Sequence, residues 1–223
     1  MQIKELITPN TVIEMVCFLT GLICLLNSKI RIWKLFPIYL FVNCITEMYA
    51  IHLRKHHYDN QWPYNISIIF EATFISIMFL QFFNKYFKGK LFIIGGLALL
   101  LIAYGYDVKA HDFLLFKNIT NDTLNETAND LMSVLFSIYS LSYFYLLLKD
   151  EQYINLKYSS DFWWVVGVLF FYFGSTTLNL FRSEFKSESE LPNYITLILI
   201  WMIYGSWSYS FICKKWLTTK SLS

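Results

Sequence analysis

Residues 65–83 read NISIIFEATFISIMFLQFF, an apolar run interrupted by one charged side chain, Glu71. A helix rises about 1.5 Å per residue, so a run of this length reaches across roughly 30 Å of hydrocarbon. Its Ile, Leu and Phe residues contribute roughly −5 kcal/mol to insertion, and a central carboxylate costs about +3 kcal/mol. The helix therefore inserts, and the carboxylate is expected to turn away from lipid.

The same pattern recurs along the chain. Of its 223 residues, 56% are hydrophobic, 20% aromatic and only 15% charged, with a mean hydropathy of +0.44. A soluble domain of this size would need a more highly charged surface. Membrane-spanning helices are predicted at residues 9–26, 35–53, 63–83, 91–106, 131–148, 162–181 and 192–213. The expected fold is an all-α bundle of seven transmembrane helices, in a single integral-membrane domain over residues 1–223. Pro63 and Pro192 stand where a first-turn proline is tolerated, and Asp161 is placed to cap the sixth helix. Thr11 and Glu14 have capping-box spacing at the start of the first. The first apolar stretch has no small-residue cleavage site after it and is read as a retained span.

Lys and Arg positions predict the orientation. With the N-terminus outside, eleven of the 18 basic residues (Lys29, Arg31, Lys34, Lys85, Lys88, Lys90, Lys149, Lys157, Lys214, Lys215 and Lys220) fall in inner segments, which favours N-out, C-in. A multi-pass protein of the plasma or inner membrane is expected. The net charge of +2 and the lack of a basic block interleaved with exposed aromatics exclude nucleic acid as a partner. Cys17, Cys24, Cys44 and Cys213 lie in apolar runs without metal-type spacing and read as buried thiols. The segment 107–130 carries NITNDTLNETAND, with sequons at Asn118, Asn121 and Asn125. No soluble output domain is recognised, so signalling would need a partner protein.

The third span opens PYNISII at Pro63 and the seventh PNYITLI at Pro192. Carried backwards, this offset lays the second span on the sixth, which suggests a 3+1+3 internal repeat. That layout resembles the PQ-loop and SWEET-type small transporters, although the Pro-Gln dipeptide naming the first group is absent. The seven-span, N-out plan is also similar to that of rhodopsins. Here the seventh span has no lysine before Lys214, so retinal is not expected as a cofactor.

The loop joining the second and third spans has its midpoint near Asp59, so Glu47 and Glu71 are predicted at one depth on neighbouring antiparallel helices. Two acids in low dielectric do not both ionise cheaply, which suits a proton-coupled site or a hydrogen-bonding pair for a ligand. Alternatively, Asn43, one turn from Glu47, or a hydroxyl on another helix satisfies a neutral acid. Asp130, Ser133, Ser137 and Ser140 form a polar stripe on the fifth span. Tyr172, Ser175, Asn179 and Arg182 form one on the sixth, with Arg182 suited to an anion. The seventh adds Trp201, Tyr204 and Ser208, whereas Trp62, Trp163, Trp164 and Trp216 read as interfacial belt residues.

A zinc site is a minor reading. His52 and His56 are four apart, as are Asp107 and His111, and a His/Asp set with an open position for water resembles that of seven-helix hydrolases of the ceramidase type. The leading expectation is binding and transport of a small polar or amphipathic solute in an outer-half polar cavity lined by Glu47, Glu71, Asn43, Ser175, Asn179, Arg182 and Tyr204, without a cofactor. A sensor or membrane subunit acting through a membrane or cytoplasmic partner protein is the alternative.

Overall fold

The computed structural model describes residues 8–110, 125–150, 155–181 and 190–217. Seven α-helices account for most of them: α1 Pro9–Leu25, α2 Arg31–Lys55, α3 Trp62–Phe83, α4 Lys90–Ala110, α5 Glu126–Lys149, α6 Ser160–Leu180 and α7 Leu191–Ile212. A 3-10 turn, Leu156–Tyr158, precedes α6, and a π-helical turn, Cys213–Leu217, extends α7. No strand occurs among the described residues. Six helices are long and apolar enough to cross a membrane, while α1, with 17 residues, is a shorter apolar helix.

Local chemistry sets the helix ends. Thr8 caps α1: its hydroxyl accepts from the Thr11 amide at 3.2 Å, and the Thr11 hydroxyl accepts from the Thr8 amide at 2.8 Å. The capping box is thus Thr8 with Thr11, one turn earlier than Thr11 with Glu14, because Pro9 already adopts the first helical position. Glu14 instead lies buried on the helix. At α6 the cap is Ser159, whose hydroxyl accepts from the Phe162 amide; Asp161 sits inside the first turn. Pro63 and Pro192 occupy first-turn positions of α3 and α7 as expected. The end of α2 is a Schellman motif, in which Tyr58 N–H donates to the Leu53 carbonyl and His57 N–H to that of Arg54. His57 takes the left-handed position, φ 58°, usually held by glycine.

The chain forms two compact units, whose boundaries fall inside α2 and α5 and not at the edges of α4 that a 3+1+3 plan would use. The first contains the second part of α2 from Phe41, then α3, α4 and α5 to Leu135. Its interior is phenylalanine-rich: Phe79 and Phe83 stack at 5.9 Å, and Phe92 of α4 closes on Phe83 at 5.8 Å. The turn between α3 and α4 requires Gly89, since a Cβ there would lie 2.7 Å from the Phe83 Cβ.

The second unit contains α1, α2 to Leu40, α5 from Phe136, α6, α7 and the π turn. Within it α7 packs chiefly on α6 and α1. An aromatic cluster forms the core: Trp164 of α6 and Trp207 of α7 stack at 5.8 Å with planes 5° apart, and Phe36 of α2 meets Trp207 edge-on at 5.1 Å. Trp164 is fully buried, which corrects its expected place in the interfacial belt. Its position near a span end favours the interface, but helical phase turns it toward α7 and α2. Trp216 remains half exposed.

The outward faces are apolar. Leu91, Leu148, Leu180 and Ile102 are each at least 70% exposed, and apolar side chains are exposed on every helix. A soluble monomer seldom leaves so much apolar surface in contact with water.

Candidate functional site

In the first unit, helix α3 presents two working faces. Tyr64 and Glu71 are seven residues apart, two turns of helix, and so share one face. From that face the Tyr64 hydroxyl donates to Glu47 Oε2 on α2 at 2.6 Å, a length typical of a phenol–carboxylate bond. Glu47 lies eight residues before the end of α2 and Glu71 nine residues after the start of α3, about 12 and 13.5 Å along their axes. The two carboxylates are therefore at closely similar depths, each half-buried. A hydroxyl on another helix, and not Asn43, supplies the hydrogen bond seen at Glu47 Oε2. Tyr64 escaped notice in the sequence because a tyrosine at a helix start looks like an interfacial anchor.

The other face of α3, roughly 120° around the axis, borders a cleft against α4. Ile68, Ile69, Ala72 and Thr73 of α3 face Leu97, Leu100, Leu101 and Tyr104 of α4, with Ala128 of α5 at one end. The space is about 90 Å³ and part-open to the exterior. Its walls are apolar, and the side-chain hydroxyls of Thr73 and Tyr104 are their polar groups.

One end of this unit is tied by buried polar side chains. A helix leaves its first N–H groups without intrahelical partners. At α5 the Asn125 amide donates to Asn65 Oδ1 at 2.9 Å, and the Ala128 amide to Asp107 Oδ2 at 2.8 Å. Asn65, Asp107 and Asn125 are all at most 3% exposed. The Asp107 carboxylate also faces the positive end of the α5 dipole. The Asn125 side chain is itself buried, so in the folded chain this sequon nitrogen is closed to a glycan. Asn118 and Asn121 lie outside the described residues.

Asp107→Ala is expected to destabilise the protein by about 1–3 kcal/mol, because it leaves a buried N–H unpaired. Asp107→Asn, which keeps an acceptor, should lose less. Thermal unfolding in detergent compares them, and equal melting of wild type and Asp107→Ala would contradict the assignment.

The other expected site residues divide between the two units. Asn43 belongs to the first unit with Glu47 and Glu71, whereas Ser175, Asn179 and Tyr204 belong to the second. Arg182 lies outside the described residues. Along α6, Tyr172 is buried against Phe136 at 5.0 Å and Ser175 is half-buried, but Asn179 is exposed. The stripe thus turns outward near the helix end and does not line an interior along its whole length. On α7, Trp201 is 51% exposed, while Tyr204 and Ser208 are half-buried. On α5, Ser133, Ser137 and Ser140 are buried as expected, although Asp130 is exposed. Ser133 and Ser140 donate to the carbonyls of Asn129 and Phe136 one turn back, which makes them packing residues.

Among the described residues no group of three or more His, Cys, Asp or Glu could hold a metal ion. His52 and His56 have ring centroids 4.5 Å apart. Asp107 is engaged at the start of α5, and His111 lies outside the described residues. All four cysteines are buried and none is in a disulfide.

Fold and surface together define the class: a multi-pass helical membrane protein. The chain matches no protein-family model, no curated protein and no solved structure.

Proposed function

We propose that this protein binds a small amphipathic solute in the cleft between α3 and α4 and moves it across the membrane in exchange with protons, Glu47 and Glu71 being the groups that change protonation. The cleft carries the reading. Apolar walls with a few convergent polar groups suit a molecule with an apolar body and one polar head. Helix α3 supports the coupling, since it bears the cleft on one face and the Tyr64–Glu71 row on another. A tilt or rotation of this one helix would alter both together.

The test uses proteoliposomes and medium-chain amphiphiles with permanently charged or polyhydroxyl heads, which do not cross lipid unaided. Flux driven by a pH gradient is expected, lost on Glu71→Gln and reduced at least tenfold on Ala72→Phe, which fills the cleft. Flux that ignores both substitutions would overturn the proposal. Saturable binding without flux would favour a sensor or membrane subunit that works through a partner protein.

A further inference from the structure

One end of the second unit gathers cations from three separate stretches of chain. Lys29, Arg31 and Lys34 lie at and just before the start of α2, Lys157 precedes α6, and Lys214 and Lys215 lie in the π turn after α7. Four contacts bring these stretches together. Lys215 Nζ donates to the Ile23 carbonyl in the last turn of α1 at 2.8 Å. Lys214 Nζ lies 5.0 Å from the centre of the Trp33 ring, in the first turn of α2. The Lys157 carbonyl accepts from Trp163 Nε1 at 3.1 Å and from the Tyr209 hydroxyl at 3.2 Å, which fixes Lys157 against α6 and α7.

All six cations but Lys214 are exposed. Aromatic rings accompany them: Lys215 Nζ stands 4.8 Å from the Trp216 ring and Lys157 Nζ 5.6 Å from that of Tyr158. Trp and Tyr rings of this kind sit at headgroup depth. The first turn of α2 contains no acidic residue, so its two cations stand at the positive end of the helix with no acid in the same turn.

We infer that this end of the second unit is a binding surface for the phosphate groups of anionic membrane lipids. Six clustered cations beside interfacial aromatics match a negatively charged headgroup layer, to which each Lys or Arg adds roughly 1 kcal/mol of attraction. On the orientation expected from charge, this end is the cytoplasmic one. The inference is independent of the cleft and of any transport, since it concerns the second unit alone.

The experiment places the full chain in nanodiscs of phosphatidylcholine with a minor share of phosphatidylglycerol, and native mass spectrometry counts the lipids retained on release. Wild type is expected to retain phosphatidylglycerol well above its share of the disc. The variant K29Q/R31Q/K34Q, which leaves the Lys214, Lys215 and Lys157 contacts in place, should lower that enrichment about tenfold, and added salt should lower it further. K85Q/K88Q/K90Q removes the same charge from the first unit and should leave most of the enrichment. Equal retention by wild type and K29Q/R31Q/K34Q would overturn the inference, as would equal loss in the two variants. Millimolar inorganic phosphate that abolishes the enrichment would also overturn it, by showing a site for the free ion.

Discussion

Trp207→Ala is expected to lower the stability of the folded bundle by about 3 kcal/mol, read as a shift of thermal or denaturant unfolding in detergent. Trp207 is 1% exposed and packs on four rings: Trp164 at 5.8 Å, Phe36 at 5.1 Å, Tyr204 at 5.8 Å and Tyr39 at 6.2 Å. Its indole N–H donates to the Trp164 carbonyl at 3.3 Å. Truncating a large aromatic in a soluble core costs about 3–5 kcal/mol, the sum of a transfer part and a cavity part. In lipid the transfer part shrinks, because acyl chains are as apolar as the side chain they replace. What remains is lost dispersion contact in a hole that rigid neighbouring rings cannot close. The lower end of the range is therefore expected. Trp207→Phe keeps a ring and should cost less than half as much. Wild-type melting for Trp207→Ala would show that the cluster fills space without holding the helices together.

Gly167→Leu should have a still larger effect, loss of the native packing of α6 on α7. A Cβ at Gly167 would lie 3.2 Å from the Ile203 carbonyl oxygen and 3.3 Å from the Ile203 Cα. These are backbone atoms of the facing helix, so no rotamer change relieves the contact. Gly167→Ala requires a shift of a few tenths of an ångström and should cost about 1 kcal/mol, whereas the isobutyl group of leucine must push the helices apart. Helices in lipid associate through close backbone approach at small residues, because no hydrophobic force draws them together. Size-exclusion profile and protease resistance read the outcome, and a monodisperse, resistant Gly167→Leu protein would contradict this account. Gly174 differs: the atoms nearest its added Cβ belong to the Leu199 side chain, whose Cδ2 would lie 2.5 Å away. A leucine end can rotate, so Gly174→Ala should be milder than that distance implies.

Where the sequence was informative, the signal was local. Run length and composition place the seven helices within a few residues, because insertion energy depends on the residues of each segment and little else. Proline positions mark the starts of α3 and α7, since a missing N–H is harmless only in a first turn. The matched depth of Glu47 and Glu71 follows from counting residues on either side of one short loop.

What the sequence leaves open is direction around each helix axis and choice of partner. Trp163 and Trp164 are neighbours, yet one stays half-exposed and the other is sealed against Trp207. A hydropathy average does not distinguish them, because 100° of rotation separates the two. Likewise Asp107 looked like half of a His/Asp pair, and only the position of α5 shows that its carboxylate meets the Ala128 amide. The cleft against α4 and the gathering of lysines at one end of the second unit combine residues distant in the chain. The linear sequence determined which segments enter the membrane; tertiary structure decided which faces meet, because burial in lipid rewards any apolar surface alike and only shape and hydrogen bonding select among neighbours.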